Sequence, residues 1–349
     1  MIKEQENGNR QIIWIELLRI LACFLVIVNH TNSKVFLNAQ PSLGWFVSLT
    51  YFFFSKIAVP LFVMISGYLL LDREDTYVKN FQRIIRIVAA LFIGTLFYYL
   101  YFIYLGKVEK FQIANFLETV IKAPVSSAYW YLYMYLGLLV MLPFLQKMVK
   151  QMTKKDFHVF FVCSLLIGGI WPILVHYEPK LLITKEFDVP LFSGYIAMLL
   201  LGCYMKKYVS VLPKQRWIAL IILGITIFLM VIATYVEYTF VSQDKDVFLF
   251  LDDRTLFPIV LSAACVFYIL KDWQFGKCLG KIIATIASCS FGIFLIADYL
   301  IEISGSLYNR LCVYVSPLVA VIAQEVWVFL CGFVIIFLMR LIPGMKKVI

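Results

Sequence analysis

Ten apolar runs, each close to the roughly 20 residues that the hydrocarbon core of a bilayer demands, follow one another with only short polar connections between them. This feature restricts the fold more than any other, because backbone groups inside lipid find no water and each run must close its hydrogen bonds as a helix. The runs are Ile13 to Asn32, Trp45 to Leu71, Ile84 to Leu105, Ser127 to Met148 and Phe157 to His176. They continue with Val189 to Met205, Trp217 to Val236, Thr255 to Leu270, Ile282 to Ile303 and Ser316 to Met339. The sequence therefore predicts an all-α, polytopic transmembrane helix bundle of about ten spans. A hydrophobic share of 62% beside a charged share of 15% excludes an ordinary soluble domain. The polar start, Met1 to Arg10, runs directly into a full-length span without a short apolar region and a small-residue cleavage site, so the first span is expected to stay as an anchor. No linker or low-complexity stretch divides the chain, which reads as one integral-membrane domain over residues 1–349.

Lysine and arginine set the expected orientation. Lys3 and Arg10, Arg73 with Lys79, Arg83 and Arg86, Lys147 to Lys155, Lys206 to Arg216, Lys271 to Lys281 and Arg340 to Lys347 all fall on one side. The opposite loops carry fewer, among them Lys34, Lys107, Lys180 and Arg254. By the positive-inside rule both termini are expected in the cytoplasm. Topology then explains much of the net charge of +10, and no nucleic-acid partner is required. The eight cysteines lie mostly inside spans without CxxC spacing, so they read as packing residues and no metal site is expected.

Chemistry must be sought among polar side chains at membrane depth, which are costly there and functional by default. Arg19 and His30 lie eleven residues apart on the first run, which returns them to nearly one helix face about 16 Å apart, looking into one cavity. His30, at the outer end, has the residue type of a general base near neutral pH; its plainer reading is an interfacial histidine. Asn29, Thr31 and Asn32 flank it, and His158 and His176 are its only competitors. Arg19 either snorkels to the inner headgroups or pairs with Glu16, three residues earlier. In the second run Pro60 and Gly67 predict a kink beside a cavity, Lys56 lies near mid-bilayer, and Ser66 is either a ligand contact or a packing serine. Arg83 and Arg86, at i and i+3 at the inner mouth of the third run, fit a phosphate clamp and equally fit positive-inside anchoring.

These pieces together resemble one family. Glu16, Arg19 and His30, the Val59-Pro60-Leu61-Phe62 run with Ser66-Gly67, Arg83 and Arg86, the Ala128-Tyr129-Trp130-Tyr131-Leu132-Tyr133 entry to the fourth run, and Ser290-Phe291-Gly292-Ile293-Phe294-Leu295 in the ninth are similar, in order and over nearly the whole chain, to the acyltransferase family 3 membrane proteins. The resemblance implies a ten-helix bundle that takes an acyl group, usually acetyl, from cytoplasmic acyl-coenzyme A and delivers it to a hydroxyl of an extracytoplasmic carbohydrate. It carries the family's arginine and essential histidine onto Arg19 and His30, and its RxxR motif onto Arg83 and Arg86. Two positions depart: Glu16 stands where many members have Asp, and Ala297 followed by Asp298 stands where many have a histidine in the ninth span.

The expected mechanism docks coenzyme A phosphates on Arg83 and Arg86 and threads the pantetheine arm past Arg19, Lys56 and Ser66. His30 then takes the proton of a sugar hydroxyl, with an acyl-histidine as the rival route. Among the outer carboxylates Asp298, Glu302 and Glu325, the deepest, Glu325, is expected to hold the imidazole tautomer as a triad carboxylate does. Asn29, Asn32, Trp130 and Asp298 are assigned to the acceptor, Trp130 by stacking on a sugar ring or else as part of an interfacial aromatic belt. Expected partners are acyl-coenzyme A as donor, with no bound cofactor, a carbohydrate acceptor and the lipid bilayer; monomer and homodimer both stay open. The expected location is a bacterial cytoplasmic membrane. A second class of function is transport of an anionic solute or lipid-linked sugar past Arg19, Lys56 and Glu325, against which no inverted repeat is visible. A third is a sensor or scaffold without activity.

Overall fold

A computed structural model describes residues 12–122, 124–182 and 194–345, which form helices joined by turns and loops, with no strand among them. Eight helical stretches are long and apolar enough to cross a membrane: Ile13–Phe36, Leu43–Leu70, Tyr77–Tyr104, Trp130–Gln151, Lys154–Tyr177, Pro213–Phe240, Lys277–Ile303 and Pro317–Met339. The sixth and eighth places are taken by Tyr195–Tyr208 and Phe257–Leu270, helices of 14 residues each, about 21 Å at 1.5 Å per residue. Val189, the expected start of the sixth span, lies outside the described residues. The chain is a multi-pass membrane protein.

Local chemistry explains where these helices begin and break. The third span starts at Tyr77 rather than Ile84, because the Thr76 side chain caps it by accepting the Lys79 N–H. Arg83 and Arg86 consequently lie about 9 and 14 Å inside the helix, not at its mouth. The second span is two helices, Leu43–Ser55 and Ala58–Leu70, with Lys56 and Ile57 in the turn between them. Pro60 is the cause: it has no N–H for the carbonyl four residues earlier, which belongs to Lys56. The fifth span opens with a reciprocal cap between Thr153 and Asp156 and relaxes into a π turn, Leu165–Ile170, at Gly168 and Gly169.

The first span runs through the middle of the bundle, with Ile15, Leu18, Ala22, Leu25 and Ile27 almost wholly buried. It packs on the second, ninth and tenth spans. Beside it, the inner half of the second span meets the sixth helix at backbone distance. A Cβ on Gly67 would collide with the Leu199 carbonyl, and one on Gly202 with the Met64 carbonyl, so the contact needs both glycines. The outer shell is the reverse of a soluble protein's: on the seventh span Ile218, Ile221, Ile225, Phe228 and Val236 form an exposed stripe at helical spacing, suited to lipid.

Candidate active site

Asn29 and His30 occupy the last turn of the helix Ile13–Thr31. Across from them, the turn entering the fourth span is pinned to the ninth, because the Tyr129 hydroxyl donates to the Leu295 carbonyl at 2.9 Å. That anchor brings Ser126, Ser127 and Ala128 over Asp298, one helical turn beyond Leu295. Asp298 Oδ2 accepts from Ser126 Oγ at 2.6 Å, from Ser127 Oγ at 2.8 Å and from the Ala128 N–H at 3.2 Å. His30 Nδ1 lies 3.1 Å from Ser127 Oγ and 3.9 Å from Asp298 Oδ1.

The shorter bond to a charged acceptor favours one tautomer. A serine hydroxyl carries one proton, and Ser127 gives it to the carboxylate, which can only accept. Its oxygen is then left to accept from Nδ1–H, so the Nε2 lone pair of His30 is free. The arrangement is a relay from imidazole through hydroxyl to carboxylate, with Asp298 holding a ring that takes up a proton at the other nitrogen.

Glu325 does not supply that carboxylate. It is fully buried and accepts from Thr31 Oγ1 at 2.6 Å and from the Tyr51 hydroxyl at 3.0 Å, tying the first, second and tenth spans together. Asn32, assigned to the acceptor, is likewise buried: its Nδ2 donates to the Ser48 carbonyl at 2.6 Å and its Oδ1 accepts from Ser48 Oγ at 3.1 Å. Both corrections have one cause. The side chains that follow His30 turn to the neighbouring helices instead of the cavity, Thr31 to Glu325 of the tenth span and Asn32 to Ser48 of the second.

Asn29, His30, Lys56, Trp130, Tyr131 and Arg254 line a narrow pocket that opens to solvent. Asn29 Oδ1 is buried with no hydrogen-bond partner among the described residues. The break before Pro60 puts Lys56 Nζ 3.2 Å from Asp252 and 4.2 Å from the centre of the Phe52 ring. Arg254 stacks on Trp130, 4.5 Å above the ring.

The inner arginines form a second group. Arg19 pairs with Glu16 at 2.9 Å, and Arg83 with Asp75 at 2.8 Å, while Arg83 Nη1 is buried without a hydrogen-bond partner among the described residues. Arg86 lies 5.8 Å from the Phe291 ring and within electrostatic reach of Arg19 and Arg340, and Arg340 donates to the Ser288 carbonyl. Arg19 and His30 share a helix face with Val26 between them, but the pocket wall includes Val26 and not Arg19. Rings stand between the two levels: Tyr135 stacks on Tyr131, which meets Phe62 at 5.9 Å and Phe294 at 5.8 Å. Ser66 sits among them, donating to the Phe62 carbonyl of its own helix at 3.0 Å and lying 3.3 Å from the Tyr135 hydroxyl.

Sequence reasoning missed Ser126, Ser127, Asp252 and Arg254. The adjacent serines directly before an aromatic membrane entry were a usable signal; Arg254, in a polar loop, registered only as an outer charge. The other histidines lie elsewhere, His158 on the Tyr204 hydroxyl at 2.8 Å and His176 beside Glu237 at 3.5 Å. A family model described as an acyltransferase domain, Acyl_transf_3, matches residues 12–342. No curated protein and no solved structure matches the chain.

Proposed function

Since the chain belongs to the Acyl_transf_3 family and is a multi-pass membrane acyltransferase, we propose that it moves an acetyl group from cytoplasmic acetyl-coenzyme A to a hydroxyl of an extracytoplasmic polysaccharide or glycan, with His30 as general base. The observation that carries this reading is the relay from His30 through Ser127 to Asp298, set in a residue that lines a pocket at the outer end of the bundle.

In the proposed step Nε2 takes the acceptor's hydroxyl proton as its oxygen attacks the thioester carbonyl. The tetrahedral intermediate collapses with cleavage of the carbon–sulfur bond, and the imidazolium returns its proton to the departing thiolate. Asp298 stabilises the imidazolium through Ser127 and through its own charge, and Asn29 Oδ1 is available to a second acceptor hydroxyl. On the inner side Arg83, Arg86 and Arg19 offer charge-assisted hydrogen bonds to the donor's phosphates. Phe62, Tyr131 and Phe294 part to admit the acylated arm to His30. Ser66 is a packing and positioning group on that path rather than a donor ligand, and Lys56 belongs with the outer pocket.

The test uses purified protein in vesicles, with acetyl-coenzyme A inside and glycan outside. Transfer should appear as coenzyme A thiol release matched by acetylated glycan, and His30→Ala should lose roughly 10² to 10⁴ in rate, the usual contribution of a general base. Thioester left intact while solute crosses would favour transport, and wild-type transfer by His30→Ala would overturn the reading. Mass spectrometry of surface glycans from cells carrying either form identifies the acceptor.

A further inference from the structure

The pocket beside His30 has two cations on its walls and no carboxylate. Its other walls are apolar, aromatic, amide or hydroxyl groups. The Lys56 charge is met by Asp252, which stands outside the lining and is half-exposed. Arg254 has no such partner: its guanidinium stacks on Trp130 and makes no hydrogen bond or ion pair among the described residues. Neither Asp253 nor Asp298 forms an ion pair with it among the described residues. Asp253 Oδ1 accepts from both the backbone N–H and the hydroxyl of Thr255 at 2.9 Å, and Asp298 is held by the two serines and the Ala128 N–H.

A guanidinium lying on an indole face keeps its N–H edge available, in the fork geometry that matches a carboxylate or phosphate. A half-buried cation without an acceptor carries a desolvation cost that a ligand anion removes. Resting on the acyl-transfer reading of this site, we infer that the acceptor whose hydroxyl meets His30 carries an anionic oxygen group, a phosphate or a carboxylate, gripped by Arg254 with Lys56 beside it. The acceptor is thus an acidic or phosphorylated glycan unit, and Arg254 selects it.

Binding tests this without any acyl transfer. Full-length His30→Ala protein in nanodiscs is titrated with glucose 6-phosphate, glucuronate and glucose, followed by ligand-observed NMR. At least one anionic sugar should bind on the order of 10- to 100-fold more tightly than glucose, the range of a charge-assisted contact. Phosphate-only or carboxylate-only binding names the group. Arg254→Gln in the same background should erase the preference and Arg254→Lys should restore part of it, which separates loss of the grip from loss of the fold. Equal binding of all three sugars, or a preference that survives Arg254→Gln, overturns the proposal. The second outcome would assign Arg254 elsewhere, for example to the oxyanion of the thioester. Absence of acetyl transfer by the wild-type protein would sink the proposed function while leaving this binding result to stand or fall by itself.

Discussion

Asp298→Asn isolates the charge in the relay. The amide oxygen can still accept from Ser126, Ser127 and the Ala128 N–H, so the turn into the fourth span keeps its three hydrogen bonds and the fold should survive. What disappears is a negative charge 3.9 Å from Nδ1 when His30 carries a proton. Two unit charges at that distance interact by about 4 kcal/mol at an effective dielectric near 20. Solvent at the pocket mouth halves this to about 2 kcal/mol at the lower end, so kcat should fall between about 30-fold and 1,000-fold. The assay is single-turnover acetyl transfer in nanodiscs at saturating donor, with melting temperature as the control for folding. Ser127→Ala, which leaves Nδ1–H without its acceptor, should fall in the same direction by a smaller factor. If the Asp298→Asn enzyme stays within about threefold of wild type, in a preparation where His30→Ala is inactive, the assignment of Asp298 as the positioning carboxylate is refuted.

Two further outcomes follow from the corrected geometry. Glu325→Gln turns one of the two carboxylate oxygens that accept from Thr31 and Tyr51 into an NH2 donor in a buried site, and should cost about 1–3 kcal/mol of stability, read as a lower melting temperature, while kcat changes little. If Arg83 holds the donor's phosphates as proposed, Arg83→Ala should raise KM for acetyl-coenzyme A about 10- to 100-fold with a much smaller effect on kcat at saturation; steady-state kinetics with a fixed acceptor separate the two constants.

The fold was legible because lipid imposes one rule on the whole chain. Apolar length gave the spans, and lysine and arginine gave a consistent pairing of their ends, including the short sixth and eighth helices, which only Gly194, Gly202 and a brief apolar run announced. Boundaries were less legible, since Thr76 starts a helix a full two turns before the hydrophobic run begins. His30, Asn29 and Trp130 could be gathered at one site because each is a polar or amphipathic group near an outer end, whereas Lys56, read at mid-bilayer on the donor's path, joins them only through the break before Pro60. The partner of His30 could not be read the same way. Depth favoured Glu325, but which carboxylate faces a ring is decided by helix rotation and by one tyrosine anchor, Tyr129 on Leu295, whose bond partner lies 166 positions away. Arg254 was invisible for a similar reason: a loop residue shows its charge in the sequence but not the indole it rests on.

The pair of 14-residue helices flanking the inner half of the second span has a consequence for the surrounding bilayer. At about 21 Å they fall some 9 Å short of an ordinary hydrocarbon slab, and lysines mark their inner ends, Lys206 and Lys207 in the last turn of one and Lys271 capping the other. Such a mismatch should draw headgroups and water toward those ends and leave the insulating layer locally thin. A substrate crossing this stretch has less oil to traverse than elsewhere around the protein, and thicker membranes should slow the enzyme by stretching that dimple.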